Sequence, residues 1–312
     1  MNIQQFQYVL ALAEYRHFET AAERCFVSQS TLSTMILKLE EELGIVVFDR
    51  RRKPVDLTAE GIKVVDQLRR IMKEIGAMKE MAAEMKGELS GQLKIAAIPT
   101  VAPFLLPLFL PAFAAQFPKL QIEVREQTTD EILRALKLRE LDIGIVSLPI
   151  QDPVLLEYPL YDEPFVYFDA ARKHPKQVDI KRLNLDNMCL LEEGHCMRNQ
   201  VFELCDINNK VLRNKLNFNY KAGSIDGVLR FVRANRGATL LPWLSAMELP
   251  ASEQGRVSRF TAPAPYRSVG LLVHAHFVRH TVRALLQEEI LRSVKNKIPK
   301  SRTPGHMLSP LA

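Results

Sequence analysis

The chain has 312 residues, 47% of them hydrophobic, and a net charge of +6, which allows two or three globular domains. Residues 101–115 form the longest apolar run, but it contains three prolines and is too short to cross a bilayer, so no membrane association is expected. Met1 is followed by no signal-peptide pattern, so we expect a cytoplasmic protein with reduced cysteines. The first 90 residues contain 13 Lys and Arg against 14 Asp and Glu, so any affinity for nucleic acid must come from local placement of charge.

Residues 17–44 predict two short helices around a tight bend. The small residues Ala21 and Ala22 suit the inner face of the first helix, and Ser28 is a suitable N-cap for the second. The second helix carries an apolar stripe: Leu32, Ile36, Leu39 and Leu43. Its N-terminal face is short and polar: Gln29, Ser30, Thr31, Ser33 and Thr34. Such residues read base edges and phosphates in a DNA major groove, whereas an ordinary amphipathic helix pair is the alternative.

Residues 45–58 predict two short strands, 45–48 and 55–57, joined by a turn at Lys53-Pro54. The turn carries four consecutive cations: Arg50, Arg51, Arg52 and Lys53. Beside a recognition helix we expect these cations to contact phosphates or the minor groove, and a solvated charge run is the alternative. Residues 1–58 are therefore predicted to form a winged helix-turn-helix that binds double-stranded DNA.

A long helix is predicted at about 60–86, with Thr58 as its cap. Apolar residues repeat along it at alternating spacings of four and three: Val64, Leu68, Ile71, Ile75, Met78, Ala82 and Met85. This heptad stripe predicts dimerisation with a second copy, and packing on the helix's own domain is the alternative. We assign residues 59–89 to this linker and dimerisation helix.

Strands and helices alternate from residue 92 onward, which predicts an α/β domain with a mostly parallel sheet. Strands are expected at 93–98, 120–126, 141–146, 158–168, 239–241 and 269–273, and helices at 101–117, 129–138, 225–234 and 280–294. We assign residues 90–160 and 263–296 to a first lobe and residues 161–262 to a second lobe. The basic tail, 297–312, is expected to be flexible.

The remaining reactive side chains give weaker signals. Cys25 and Cys189 lie in apolar surroundings and are expected to be inert core residues. Three histidines lie close together in the sequence: His274, His276 and His280. The first two would share one face of a strand, which makes a metal site conceivable, but no cysteine or carboxylate accompanies them. We expect neither a metal nor a cofactor.

The segments AAERCFVSQSTLSTMILKLEEELG, VFDR and LTAEG resemble those of LysR-type transcriptional regulators. The resemblance covers essentially the whole chain. It implies an α/β protein with an N-terminal winged helix-turn-helix, a long linker helix that dimerises, and a two-lobed C-terminal domain like that of periplasmic binding proteins. It also implies that homodimers assemble into a homotetramer on promoter DNA and that RNA polymerase is a partner.

A narrower resemblance lies in 191–205, LEEGHCMRNQVFELC, which is similar to the OxyR-type peroxide sensors. Those sensors carry a Gly-His-Cys-x-Arg segment and a second cysteine nine residues later. The resemblance implies that Cys196 senses hydrogen peroxide and that Cys205 closes a disulfide with it. It also implies four residues that bind peroxide or support the thiolate: Thr100, Thr129, His195 and Arg198. The subfamily's arginine on the helix at 225–234 aligns here with Leu229, so the adjacent Arg230 is the candidate for that role.

The spacing of the two cysteines adds a mechanical expectation. If the segment were helical, Cys196 and Cys205 would lie about 13.5 Å apart along the axis. A disulfide needs Cα atoms within roughly 7 Å, so closing it would force the segment to refold. The leading hypothesis is a peroxide-responsive regulator, expected to activate antioxidant genes. A LysR-type regulator that binds a small metabolite between its lobes and a thiol peroxidase are the alternatives, and the peroxidase leaves the helix-turn-helix unexplained.

Overall fold

The computed structural model describes residues 1–180, 183, 188–189, 191, 197, 200, 222–299 and 305–310. The chain divides into two compact units, Met1–Met85 and Lys86–Ala312. No helix within the described ranges is long and apolar enough to cross a membrane.

The N-terminal unit begins with three helices: α1 (Ile3–Tyr15), α2 (Phe18–Arg24) and α3 (Gln29–Leu43). The predicted bend is confirmed, because Ala21 and Ala22 are buried and the Ser28 side chain caps α3 by accepting from the Thr31 amide at 3.2 Å. A two-stranded wing follows, with β1 (Phe48–Asp49) antiparallel to β2 (Asp56–Leu57). Both strands are shorter than the sequence predicted, and the cationic segment forms the turn between them.

Helix α4 (Ala59–Met85) completes the unit. The predicted cap is present, since Thr58 Oγ1 accepts from the Gly61 amide at 2.8 Å. Gly61 is required here because a Cβ would overlap the carbonyl oxygen of Val47. The first turns of the helix pack on the domain's own core, with Leu68 only 4% exposed, whereas Met78 and Met85 are 60% and 82% exposed.

The first lobe of the C-terminal unit contains three parallel strands: β3 (Gly91–Ala97), β4 (Leu120–Glu126) and β5 (Ile143–Leu148). Helices α5 (Ala102–Gln116) and α6 (Thr129–Lys137) connect them. The returning strand β10 (Ala264–His274) is longer than predicted and runs antiparallel to β5, which makes the sheet mixed. The last helix among the described residues, α10 (His280–Val294), has the predicted bounds.

The second lobe is built on β6 (Leu155–Asp169), a 15-residue strand that pairs antiparallel with β10 in the first lobe and with β8 and β9 in the second. Its other described elements are short: β7 (Gln177–Val178), α7 (Ile225–Asn235), β8 (Ala238–Pro242), α8 (Trp243–Met247), α9 (Ala251–Gln254) and β9 (Val257–Phe260). Each lobe has its own buried apolar cluster. The predicted architecture of a winged helix-turn-helix, a long helix and a two-lobed α/β domain is therefore confirmed.

The predicted flexible tail needs correction over 305–310. Strand β11 (Gly305–Met307) pairs in parallel with the start of β10, and the amide of Leu308 donates to the Tyr266 carbonyl at 2.9 Å. Leu308 is fully buried in the core of the second lobe. The basic, proline-containing composition indicated disorder, but one leucine and three backbone partners are enough to hold this segment on the sheet.

Candidate functional site

The N-terminal end of α3 presents a polar surface to solvent. Four of the five predicted DNA-reading residues are exposed: Gln29, Ser30, Thr31 and Thr34. Ser33, the fifth, is half-buried. The cap hydroxyl of Ser28 also lies 2.9 Å from Ser30 Oγ and 2.8 Å from Thr31 Oγ1, so these short side chains are held close to the helix end. The exposed residues are positioned to meet base edges if α3 enters a major groove.

The four wing cations do not behave as one group. Arg50 is tied inward, because its Nη2 donates to Glu40 Oε2 at 2.9 Å and its Nη1 donates to Ser33 Oγ at 3.2 Å. Glu40 is 7% exposed, and its other oxygen accepts from the amides of Val47 and Phe48 at 2.7 and 3.1 Å. Glu40 and Arg50 thus fasten the wing to α3. Glu40 was not predicted from the sequence, where its only signal was a carboxylate on the inner face of an amphipathic helix.

The other three cations lie at the wing's surface. The Arg51 side chain is 97% exposed, and Lys53 is also exposed. Arg52 is 69% exposed and lies 3.6 Å from carboxylate oxygens of both Asp49 and Asp56. These contacts orient Arg52 but leave most of its surface open, so the three side chains can reach a phosphate backbone.

In the first lobe, Thr100 and Thr129 follow neighbouring parallel strands. Ala97 of β3 pairs with Glu126 of β4, and each threonine comes three residues after its partner in that pair. Because the carboxyl ends of parallel strands meet at one edge of a sheet, both threonines lie at that edge. Both are buried, and Thr129 Oγ1 has no hydrogen-bond partner among the described residues. An unpaired buried hydroxyl is costly and is a candidate ligand group.

A buried ion pair lies at the same edge. Arg267 on β10 and Glu163 on β6 are both 1% exposed, and Arg267 Nε and Nη2 donate to Glu163 Oε2 at 2.9 and 2.7 Å. Arg267 Nη1 also donates to Thr100 Oγ1 at 2.8 Å. The Thr100 hydroxyl therefore accepts a charge-assisted bond and keeps its own hydrogen for another acceptor. Arg267 was not predicted from the sequence, because nothing in the pattern of a returning strand marks one arginine as buried.

Gln200 joins the C-terminal tail to this edge. Its side-chain amide donates to Ser147 Oγ at the end of β5 and to the Leu308 carbonyl, both at 3.0 Å, and the residue is fully buried. We call the five residues at this edge the strand-end group: Thr100, Thr129, Ser147, Gln200 and Arg267. It contains hydroxyl groups, an amide and a guanidinium whose charge is balanced by Glu163, all in a buried setting, which suits a small polar ligand.

Of the other predicted sensor residues, only Arg230 lies within the described part of the chain. His195, Cys196, Arg198 and Cys205 lie outside the described residues. Arg230 is on α7, where its side chain is 78% exposed and pairs with Asp226 at 3.0 Å. Within the described ranges no contact joins Arg230 to the strand-end group, whereas the neighbouring Leu229 is 7% exposed and packs in the lobe's core.

Cys25, Cys189 and the histidines at the end of β10 lie in packed or hydrogen-bonded surroundings. Cys189 is buried in the second lobe's core, and Cys25 is half-buried beside the helix-turn-helix core, where burial raises the pKa of its thiol. His274 Nδ1 accepts from the His276 amide at 3.0 Å, so that ring nitrogen is already engaged. Among the residues that the structure describes, no group of three His, Cys, Asp or Glu side chains is arranged to hold a metal.

The fold, the exposed face of α3 with its wing and the buried strand-end group define a class of protein. It has a winged helix-turn-helix DNA-binding unit followed by a two-lobed α/β unit with a buried polar site. Comparison with known families agrees. Residues 3–62 match the model of the bacterial regulatory helix-turn-helix proteins of the lysR family, and residues 86–289 match the LysR substrate binding domain. The chain belongs to the LysR family of bacterial transcriptional regulators.

Individual relatives are more specific. The chain is 35% identical to a hydrogen peroxide-inducible genes activator of Haemophilus influenzae over 87% of this chain and 90% of that protein. It is 36% identical to the DNA-binding transcriptional dual regulator OxyR of Escherichia coli, over 87% and 89%. Among solved structures, a full-length OxyR variant of Pseudomonas aeruginosa matches with a TM-score of 0.70 and 32% identity, over 93% of this chain and 98% of that one. A peroxide-bound OxyR mutant of Corynebacterium glutamicum matches with a TM-score of 0.60 and 27% identity, over 95% and 93%.

Proposed function

We propose that this chain is a DNA-binding transcriptional regulator that responds to hydrogen peroxide and activates antioxidant genes through a Cys196–Cys205 disulfide. The similarity to peroxide-inducible regulators over 87% of the chain carries this proposal. Since the family consists of transcription regulators, a thiol peroxidase is not supported. A metabolite-responsive regulator would use the same fold, but the relatives named for peroxide favour the thiol switch.

The proposed chemistry needs one peroxide and two thiols. The Cys196 thiolate attacks one oxygen of hydrogen peroxide, the O–O bond breaks, and the departing hydroxide takes up a proton to become water. The sulfenic acid on Cys196 is then attacked by the sulfur of Cys205, the S–O bond breaks, and a second water leaves as the disulfide forms. The two thiols supply the two electrons that reduce the peroxide.

The strand-end group supports this assignment. Thr100, held by Arg267 at 2.8 Å, has a hydroxyl hydrogen to donate to a peroxide oxygen, and Thr129 Oγ1 is buried with no partner among the described side chains. Because Arg267 Nη1 fixes the Thr100 oxygen, this hydroxyl is oriented to donate its hydrogen to the peroxide oxygen that leaves. Gln200 follows Cys196 by four residues and hydrogen-bonds Ser147 at this edge. We assign His195 and Arg198 to thiolate support on motif resemblance. Arg230 is assigned to the same role on its place beside the subfamily's arginine position, and its exposed side chain would have to leave Asp226 to act there.

We assign DNA reading to Gln29, Ser30, Thr31, Ser33 and Thr34, and backbone contact to Arg51, Arg52 and Lys53, with Arg50 positioning the wing. The exposed Met78 and Met85 of α4 support dimerisation along the heptad stripe. We retain the predicted boundaries at residues 58, 89, 160 and 262 as the functional division of the chain. A homotetramer on promoter DNA, contact with RNA polymerase and a cytoplasmic location complete the proposal.

Replacing Cys196 by Ser removes the attacking sulfur but changes little else in size. We expect Cys196→Ser to bind promoter DNA yet lose the peroxide-induced rise in transcription, and peptide mapping of oxidised wild-type protein to recover a Cys196–Cys205 linkage. Cys189→Ala is the matched control, because Cys189 is a buried core thiol, and its response should persist. A full peroxide response in Cys196→Ser would rule out the thiol switch.

A further inference from the structure

Phe26 lies between α2 and α3 and is 94% exposed, more than any other large hydrophobic residue that the structure describes. Isolated exposed apolar residues are common, but a phenylalanine this open gains almost nothing from burial within its own chain. Its position in the tight bend between two helices is a second indication that the exposed ring has a function.

The backbone of Phe26 is also unfavourable for its residue type. Its φ is 57°, in the left-handed region, where a side chain crowds the following carbonyl. The Phe26 amide donates to the Glu23 carbonyl, and the Val27 amide donates to the Ala22 carbonyl, which is the Schellman ending of a helix. The left-handed position of that motif is normally filled by glycine or asparagine. The chain thus places a bulky ring where a small residue would fold better.

The location of this ring suggests what it contacts. Phe26 comes two residues before Ser28, the cap of α3, and the exposed polar residues Gln29 and Ser30 follow directly. In a helix-turn-helix the N-terminal end of the second helix enters the major groove. A residue at this bend therefore lies next to the groove. The apolar feature that a major groove offers is the C5-methyl group of thymine.

We propose that Phe26 is a specificity-determining residue that packs against a thymine methyl at the edge of the major groove of each half-site. This inference rests on the proposed DNA binding by α3. The surrounding serines, threonines and glutamine supply hydrogen bonds, and Phe26 adds the apolar contact that hydroxyl and amide groups cannot make. The strained backbone is retained because a glycine or asparagine here would lose this contact.

Phe26→Asn tests the proposal in the full-length reduced protein, with a duplex that the wild-type chain selects from a random DNA library. Relief of the left-handed strain should raise the Tm of the N-terminal unit by a few degrees. Affinity for the selected duplex should nevertheless fall by at least roughly fourfold, the worth of one buried methyl. The dependence of affinity on salt should not change, because no charge is removed. Arg236→Asn is the control, since Arg236 has a similar left-handed φ of 49° but lies at the end of α7. The affinity of this variant for the duplex should be unchanged.

Replacing each thymine of the duplex by deoxyuridine, which lacks only the methyl, locates the contact. We expect that replacing thymine at one position in each half-site lowers the affinity of the wild type roughly fourfold and leaves the affinity of the variant unchanged. Equal binding by both proteins, or a scan without such a position, overturns the inference. Unchanged affinity with lost transcription would also overturn it, because the ring would then meet a protein. If the wild type selects no duplex, DNA binding and this inference both fail, whereas the Cys196 experiment tests peroxide sensing separately.

Discussion

Arg267 and Glu163 illustrate how single residues control the buried edge of the first lobe. They are partners in the β6–β10 register, and the second oxygen of Glu163 accepts from the amide of Leu244 at 2.8 Å. The pair therefore connects both lobes to Thr100. Two charges buried this deeply stabilise the fold only while each compensates the other.

We predict that Arg267→Met lowers the free energy of unfolding by about 3–5 kcal/mol, because Glu163 would remain buried without its counter-charge. Urea unfolding followed by the fluorescence of Trp243, the chain's single tryptophan, reports on this unit. The double variant Arg267→Met with Glu163→Leu should recover most of the loss, since no unpaired charge remains. A double variant as unstable as the single one would show that lost packing, and not the unpaired charge, causes the loss of stability.

At the scale of elements, α6 places Thr129 through its first turn. Thr128 and Glu131 form a capping box, in which Glu131 Oε2 accepts from the Thr128 amide at 2.8 Å and from its hydroxyl at 2.9 Å. These two hydrogen bonds hold the pKa of the Glu131 carboxyl below its usual value. The position of the Thr129 hydroxyl therefore depends on the carboxylate of Glu131, which is not itself part of the strand-end group.

We predict that Glu131→Ala lowers stability by ~0.5 kcal/mol at neutral pH, because one half of the capping box is lost. A carboxyl whose pKa is lower in the folded state stabilises it above the unfolded pKa and loses that effect as pH falls through the folded pKa. The difference between wild type and variant should therefore disappear in acid, below the ordinary range of glutamate. Denaturant melts across a pH series measure it. Asp130→Ala, in the same turn but without the capping bonds, should change stability less, and equal losses would contradict the role of the box.

At the scale of the whole molecule, hydrogen bonds of the C-terminal tail connect segments that are far apart in sequence. Leu308 is buried in the second lobe, its amide bonds to Tyr266, and its carbonyl accepts from Gln200. Gln200 in turn bonds to Ser147 in the first lobe. The two lobes, the tail and Gln200, which follows the predicted sensor cysteine by four residues in sequence, thus share one hydrogen-bonded connection.

We predict that Leu308→Ala costs about 2–5 kcal/mol, as for other fully buried leucines that leave a cavity. Met307→Ala is the matched control, because the adjacent Met307 is 44% exposed, and its change should stay within about 0.5 kcal/mol. Thermal unfolding of both full-length variants makes the comparison. Equal, small effects would indicate that the tail is detached in solution.

Much of the local structure followed from the sequence alone. The periodicity of α3, the Ser28 and Thr58 caps and the bounds of β4 and α10 were predicted, because they depend on residues within a few positions of one another. The sequence also pointed to the DNA-reading face and to the cysteine pair, through motifs of adjacent residues. The wing strands and the tail were predicted poorly, since two- and three-residue strands exist only through their partners.

Only the tertiary structure decided which side chains share an environment. It separated Arg50, which Glu40 draws inward, from the other wing cations, and it brought Thr100 to Arg267 across 167 positions of sequence. It also showed that Phe26 is exposed in a strained conformation, where the sequence predicted only a tight bend. Local patterns specify helices and motifs through short-range geometry, whereas burial, charge pairing and strain depend on chain folding that brings distant segments together.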